Sequence, residues 1–164
     1  MHHIIIKMDD VKTVKTYKGN KLHSYDDQPA IQRGDYCVWY KNGLKHRVDG
    51  PAVIHGNKTY YFFNNKLHNE NGPAVIEPDT VEYWIHGKLH NENKPASVVH
   101  REDGEYILYY YKSRLHRDNG PAVIYPKYHA WYKHGYLHNE SGPAIINFDG
   151  RPPEYWIDGI QHEL

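Results

Sequence analysis

The ten residues Leu67-His68-Asn69-Glu70-Asn71-Gly72-Pro73-Ala74-Val75-Ile76 decide the fold of this chain, because variants of this phrase recur along it. The copy at residues 137–146 reads Leu-His-Asn-Glu-Ser-Gly-Pro-Ala-Ile-Ile. The Pro-Ala pairs begin at residues 29, 51, 73, 95, 121 and 143, so the interval is 22 residues four times and 26 once. A fixed period of this length indicates a repeat architecture, in which neighbouring repeats bury one continuous core.

Each repeat contains strand-forming stretches separated by turns. β-branched residues follow the Pro-Ala pair, and an aromatic doublet such as Tyr61-Phe62 lies seven and six residues before each histidine. Pairs such as Asn42-Gly43 and His86-Gly87 tolerate positive φ and predict type I′ hairpin turns, with Lys112-Ser113 the poorest match. No stretch shows a helical apolar period. We predict an all-β fold, an elongated single twisted antiparallel sheet of stacked hairpin or meander repeats of about 22 residues, open and solenoid-like.

The repeats predict one domain over residues 1–164, with a cap strand at 1–16 and about six repeats over 17–162. The long interval contains an insertion near residues 100–105, where a polar segment ending in Asp103-Gly104-Glu105 predicts a longer hairpin tip. Proline donates no hydrogen bond, so we expect it at the first position of a strand. The residue after this proline is always alanine, and the small side chain predicts close packing at Ala52, Ala74, Ala96, Ala122 and Ala144.

Composition and charge limit the class of partner. Lys and Arg total 20 against 20 Asp and Glu, which argues against nucleic-acid binding and against a basic membrane-surface module. The apolar runs are too short to span a bilayer. Cys37, which we interpret as a core residue, is the single cysteine and cannot form an internal disulfide, which favours a reducing compartment, the cytoplasm. Frequent Asn, Lys, Ile and Tyr are typical of an AT-rich genome such as that of a phage or large DNA virus, whose product would act in the host cytoplasm.

A family resemblance rests on Gly87-Lys88-Leu89-His90 and Gly135-Tyr136-Leu137-His138, each preceded by an aromatic residue. This pattern resembles the MORN repeat, and more closely its variant form in bacterial YwqK-like, phage and large-virus proteins, over roughly residues 17–162. MORN repeats usually continue with Gly-x-Gly, whereas here the histidine leads into Gly-Pro-Ala at residues 72–74. The resemblance implies a twisted sheet of hairpins and a scaffold or binding role, usually without catalysis. The family is also associated with lipid binding, which this neutral chain supports poorly.

The histidine that recurs once per repeat predicts structure rather than chemistry. Equivalent histidines lie roughly 10 Å apart if each repeat adds two strands, too far for one metal ion. We expect each to hydrogen-bond the turn before the proline of its own repeat, as structural pegs at His46, His68, His90, His116 and His138. Four further histidines could complete a local metal site with His90 or His138. They are His86, His100, His129 and His134. We predict no metal, cofactor or catalytic residue, and we interpret the recurring acids Glu70, Glu92, Asp118 and Glu140 as turn or surface residues.

The aromatic doublets suggest a binding surface. Exposed Tyr and Trp are strong contact residues, so we predict a non-catalytic protein that binds a protein partner through the aromatic ladder Trp39, Tyr61, Tyr83, Tyr109, Trp131 and Tyr155. The insertion would add a specificity tip of Arg101, Glu102, Asp103 and Glu105. The alternative that both sheet faces are covered, one by a terminal segment or a second subunit of a homo-oligomer, stays open. Other hypotheses are a small-molecule or nucleotide-sequestering anti-defence protein and a metal-dependent hydrolase that uses His and acidic residues.

Overall fold

The computed structural model describes residues 2–8, 11–92 and 94–163, and these contain strands and turns but no helix. The predicted all-β class of antiparallel hairpin-like strands is therefore confirmed. In chain order, the strands up to Pro78 are β1 His2–Met8, β2 Val11–Lys18, β3 Lys21–Leu22, β4 Ile31–Arg33, β5 Tyr36–Val38, β6 Tyr40–Lys41, β7 Leu44–Lys45, β8 Val53–His55, β9 Lys58–Tyr60, β10 Phe62–Phe63, β11 Lys66–Leu67 and β12 Val75–Glu77. The following strands are β13 Thr80–Glu82, β14 Trp84–Ile85, β15 Lys88–Leu89, β16 Ser97–Arg101, β17 Gly104–Leu108, β18 Tyr110–Tyr111, β19 Arg114–Leu115, β20 Val123–Tyr125, β21 Tyr128–Ala130, β22 Tyr132–Lys133, β23 Tyr136–Leu137, β24 Ile145–Asn147, β25 Tyr155–Ile157 and β26 Ile160–His162.

The chain forms two compact units. The first holds Met1–Pro78 with Ile85–Gly87, and the second holds Asp79–Trp84 with Lys88–Leu164. In the first unit the main-sheet strands pair in the order β1-β2-β4-β5-β8-β9-β12, and in the second in the order β13-β16-β17-β20-β21-β24. The main-sheet strands therefore lie in chain order, with a two-stranded ribbon such as β6-β7 between β5 and β8 in the sequence.

In five of the six aromatic doublets the first residue marks a change of the strand to which the backbone hydrogen-bonds, which the sequence did not predict. The N–H of Trp39 donates to the carbonyl of Ala52 in the main sheet at 2.8 Å, whereas its own carbonyl accepts from the N–H of His46 at 3.1 Å. The same two bonds recur at residues 61, 83, 109 and 131. The doublet is therefore not one continuous strand, because its second member begins a short ribbon of two strands, such as β6 with β7.

The ribbons carry the tight turns and hydrogen-bond to one another within each unit. Both central residues of each ribbon turn have positive φ, including the poorly matching Lys112-Ser113 at 49° and 64°, so the type I′ prediction is confirmed. The second turn residue donates its N–H to the preceding ribbon, for example Gly87 to Leu67 at 2.8 Å. A ribbon this short is stabilised by such neighbours rather than by its own two pairs.

The core is built on the alanine that follows each proline. Ala30, Ala52, Ala74, Ala96, Ala122 and Ala144 are all fully buried, which confirms the predicted close packing. The proline itself lies outside the strand, which begins two residues later, as at Val53 after Pro51. The reason is that proline has no N–H to donate and its carbonyl accepts from a side chain, as that of Pro51 does from Arg47 at 3.3 Å, so it makes no bond to the sheet.

The insertion forms the predicted longer hairpin. β16 and β17 have five residues each, compared with three in a strand such as β12, and pair from Ser97↔Leu108 to Arg101↔Gly104. At the amino end the structure has a hairpin, in which β1 pairs with β2 from His2↔Tyr17 to Met8↔Val11, rather than the single cap strand predicted there. β2 also pairs with β4, so this hairpin adds two strands to the repeat sheet of the first unit.

Candidate functional site

The aromatic ladder is more enclosed than the sequence suggested. Trp39 is only 7% exposed: its Nε1 donates to the carbonyl of Asp27 at 3.0 Å, and the guanidinium of Arg47 lies 4.0 Å from its ring centroid. Arg117 covers Tyr109 at the same distance. The remaining members, Tyr61, Tyr83, Trp131 and Tyr155, are half-buried. Trp39 is therefore nearly buried, and the binding role of the rest of the ladder stays a prediction.

The recurring histidines bond the next repeat through Nδ1, while Nε2 of His68, His116 and His138 lies 3.5–3.6 Å from the acid of their own proline loop. The Nδ1 atom of each lies 3.1–3.4 Å from the backbone nitrogen of the first turn residue of the following ribbon, in the pairs His23–Asn42, His46–Asn64, His68–His86, His90–Lys112, His116–His134 and His138–Asp158. In two pairs a side-chain oxygen lies nearer, Asn64 Oδ1 at 2.9 Å and Asp158 Oδ1 at 2.8 Å, and accepts from Nδ1; in the other four pairs Nδ1 accepts the backbone N–H. The predicted partner was wrong because a histidine next to a turn in the sequence lies against another turn in space.

The residue after the histidine holds the proline loop instead. The amide of Asn69 donates to the carbonyl of Pro73 at 2.9 Å, and Asn91 and Asn139 make the same bond. Where this residue is arginine, the guanidinium of Arg47 or Arg117 donates to the proline carbonyl at 3.3 or 3.2 Å. Sequence reasoning missed this role, although the alternation of Asn and Arg, both donors with a planar head, was a usable signal.

Successive proline loops form the walls of open grooves. One of them, about 840 Å³ and within the first unit, is lined by residues 47–50 of one loop, residues 69–73 of the next, and Tyr61, Phe63 and Ile76. Corresponding grooves of about 340 Å³ and about 210 Å³ lie beside Trp39 and beside Trp131. The volume of the 840 Å³ groove falls within the range of about 300–1,000 Å³ that is usual for ligand sites.

The groove between residues 47–50 and 69–73 is also the one where the repeat pattern breaks. Two residues after the histidine, four repeats carry Glu70, Glu92, Asp118 and Glu140 and the first carries Tyr25, whereas this repeat carries Val48, which is 75% exposed. Phe63, 40% exposed, lines the same groove. An exposed aliphatic and an exposed aromatic side chain in one concavity form an apolar patch among polar groups.

The charges that line this groove have a net negative sign. Arg47 is its single lysine or arginine, and the guanidinium is paired with both carboxylate oxygens of Asp27 at 2.9 and 2.6 Å. The hydrogen bond from Arg47 lowers the pKa of Asp27. Asp49 and Glu70 add two further carboxylates, whereas burial lowers the pKa of His68, so that this imidazole is neutral at pH 7.

Three charged residues of the predicted specificity tip contact Tyr106 or His100 of their own hairpin. Asp103 accepts from the hydroxyl of Tyr106 at 2.6 Å, and Arg101 lies over the ring of the same tyrosine at 4.5 Å. Glu105 lies 3.1 Å from Nδ1 of His100. Glu102 is exposed. These contacts order the tip, and its role in specificity stays a prediction.

The remaining histidines do not join His90 or His138, as the sequence had allowed. His86 stacks on His68 of the preceding repeat with centroids 4.2 Å apart, and His134 stacks on His116 at the same separation. His129 lies against Phe148. Cys37 is half-buried, and burial raises the pKa of its thiol, which favours the unreactive protonated form.

No family model, curated protein or solved structure matches the chain. Within the residues that the structure describes, no helix is long and apolar enough to cross a membrane.

Proposed function

We propose that this chain is a non-catalytic binding protein that holds an extended segment of a protein partner in the groove of the first unit. The single observation that carries this is Val48, an exposed aliphatic side chain that lines the same groove as Phe63, at a position where four of the other five repeats have an acid. The proposed contact residues are Val48 and Phe63 rather than the aromatic ladder, because the ladder members are mainly half-buried beneath the loops.

The charge of the groove specifies the chemistry of the segment. Since Arg47 is neutralised by Asp27 while Asp49 and Glu70 are not paired with a lysine or arginine in the described contacts, the lining favours a cationic ligand. The segment that fits places a small apolar side chain against Val48 and a lysine or arginine near the two acids. Complementary charge of this kind contributes mainly to specificity and to the rate of association.

The same charge disfavours the nucleotide-sequestering alternative. Phosphate recognition relies on arginine, lysine or clusters of backbone N–H groups, and the one arginine of this groove is already engaged. A thermal-shift screen with nucleotides is therefore expected to leave the melting temperature unchanged. A nucleotide that raised it in a concentration-dependent manner would replace our proposal with sequestration.

The repeat geometry also supports our proposal that the chain is a MORN-like relative. Hairpins and short ribbons recur with the 22-residue period, and the Gly-x-x-His pattern lies at the ribbon turn.

The test is selection of peptides from a random library on the purified protein, followed by affinity measurements with paired variants. Val48→Glu installs the acid of the other repeats, and Glu140→Val makes the reverse exchange in the second unit. We expect Val48→Glu to weaken binding by at least about fivefold, the equivalent of 1 kcal/mol, and Glu140→Val to leave it unchanged. Selected peptides that bind Val48→Glu as tightly as the wild type would refute the groove as the binding site.

A further inference from the structure

Three potential metal ligands meet in the first unit. Nε2 of His68 lies 3.6 Å from Oε1 of Glu70, and the rings of His68 and His86 are stacked at 4.2 Å with an interplanar angle of 11°. One donor atom from each of the three residues lies within 4.8 Å of the others. Among the described residues this is the group of three or more histidines, cysteines and acids that meets this spacing.

The repeat architecture explains how the three residues come together. The first turn residue of a ribbon lies against the histidine of the preceding repeat, as Asn64 does against His46. When that turn residue is a histidine, a second imidazole takes the place of an amide. The acid two residues after the first histidine supplies the third ligand, so a chain segment of one repeat and the turn of the next complete the group.

The geometry points to a site for one divalent transition-metal ion, of which zinc is the best representative, held by His68, Glu70 and His86. Two imidazoles and a carboxylate form a ligand set that suits zinc, with a water molecule as the fourth ligand. Ligand atoms around a tetrahedral zinc ion lie about 3.4 Å apart, given bond lengths of about 2.1 Å. The present separations of up to 4.8 Å close by rotation of the side chains of Glu70 and His86, both of which are exposed.

Binding requires one proton to move on His68. Its Nδ1 accepts the N–H of His86 at 3.3 Å, so the neutral ring carries its proton on Nε2. A metal ion on Nε2 needs the other tautomer, in which Nδ1 carries the proton and the contact with the N–H of His86 is given up. Because the contact is long, little is lost with it compared with the free energy of a structural zinc site. Because the lone pairs of stacked rings run parallel, the ring of His86 also turns away from the stack.

The second unit contains a near copy of this arrangement that serves as an internal comparison. His116 and His134 stack at 4.2 Å with an angle of 18°, and Asp118 lies 3.5 Å from Nε2 of His116. Aspartate is one methylene shorter than glutamate, so its carboxylate reaches less far toward the second ring. We expect this copy to bind the same ion more weakly than the first.

The experiment measures zinc binding to the tag-free protein at pH 7.5 by calorimetry, with elemental analysis for stoichiometry. The wild type is expected to bind one equivalent tightly. His86→Asn keeps a turn residue that the chain already uses at position 64, and it should lose more than about tenfold in affinity, because even indirect partners of a ligand contribute that much. His134→Asn, the matched control, should keep the tight site.

Nitrogen NMR of the histidines provides a readout that a purely structural role would not change. Zinc should convert His68 to the form with its proton on Nδ1. The proposal is overturned if the wild type binds no zinc at micromolar concentration, if His86→Asn binds as tightly as the wild type, or if His134→Asn removes the tight site.

Discussion

The bond between the residue after each histidine and the proline loop leads to a sharp stability prediction at Asn139. Its amide donates to the carbonyl of Pro143 at 2.8 Å, and its Oδ1 accepts the N–H of Ser141 at 3.0 Å. Net hydrogen bonds contribute about 0.5–1.5 kcal/mol each, and the exposed one counts for less, so Asn139→Ala should cost about 1–2 kcal/mol. For a protein of this size each kcal/mol lowers the melting temperature by about 2–4 °C.

A second substitution at the same position tests the reason for the loss. Arg117 occupies the corresponding position one repeat earlier, where it bonds the proline carbonyl and covers the ring of Tyr109. Asn139→Arg should therefore recover most of the stability, with the guanidinium over Trp131. Urea denaturation and hydrogen exchange over residues 139–144 measure both variants. The reasoning is refuted if Asn139→Ala is as stable as the wild type, or if Asn139→Arg is no more stable than Asn139→Ala.

Three other perturbations follow from local geometry. Burial lowers the pKa of His46 below its ordinary 6.5, so the unfolded chain binds more protons than the native state between the two pKa values. The free energy of unfolding is therefore full above pH 6.5 and falls as the pH drops through the native pKa. We expect a lower urea midpoint at pH 5.5 than at pH 7.5, and a smaller difference in His46→Gln. The hydrogen bond to Glu77 raises the pKa of Tyr60 to about 12, so Glu77→Gln should bring the tyrosine titration followed by NMR to lower pH, and an unchanged curve would contradict this cause. Gly104→Ala places a Cβ at a residue with φ of +130° and only 2.8 Å from a proline Cγ, whereas at Gly150 φ is +91° but the space is open. Gly104→Ala should therefore lower the melting temperature more than Gly150→Ala. Equal decreases would exclude the steric contact as the cause.

The sequence was informative wherever a feature depends on a single residue and its nearest neighbours. The turn pairs were predictable because two successive positive φ angles restrict the choice of residue, and even Lys112-Ser113 adopts them. The buried alanines were predictable because the same small residue recurs at one position of the period.

The features that the sequence did not predict depend on contacts across repeats. The chain leaves the main sheet at Trp39 because its N–H and its carbonyl have partners in different ladders, which no local pattern encodes. Likewise, Nδ1 of His68 accepts from a turn 18 residues later, which its position beside its own loop does not indicate. Part of the candidate site was nevertheless visible, since aligning the repeats shows Val48 where four repeats have an acid, and His86 and His134 where two repeats have asparagine.

The claim that the groove beside Val48 receives a partner is tested most directly by photo-crosslinking. A photoreactive amino acid at position 63 places the probe in the groove, and the same residue at position 133 places it on the equivalent strand position of the second unit. Both variants are irradiated with the selected peptide and in a lysate of the native source. We predict adducts at position 63 that Val48→Glu removes and that position 133 does not form. Equal adducts at both positions, or adducts at 63 that persist in Val48→Glu, would contradict the account.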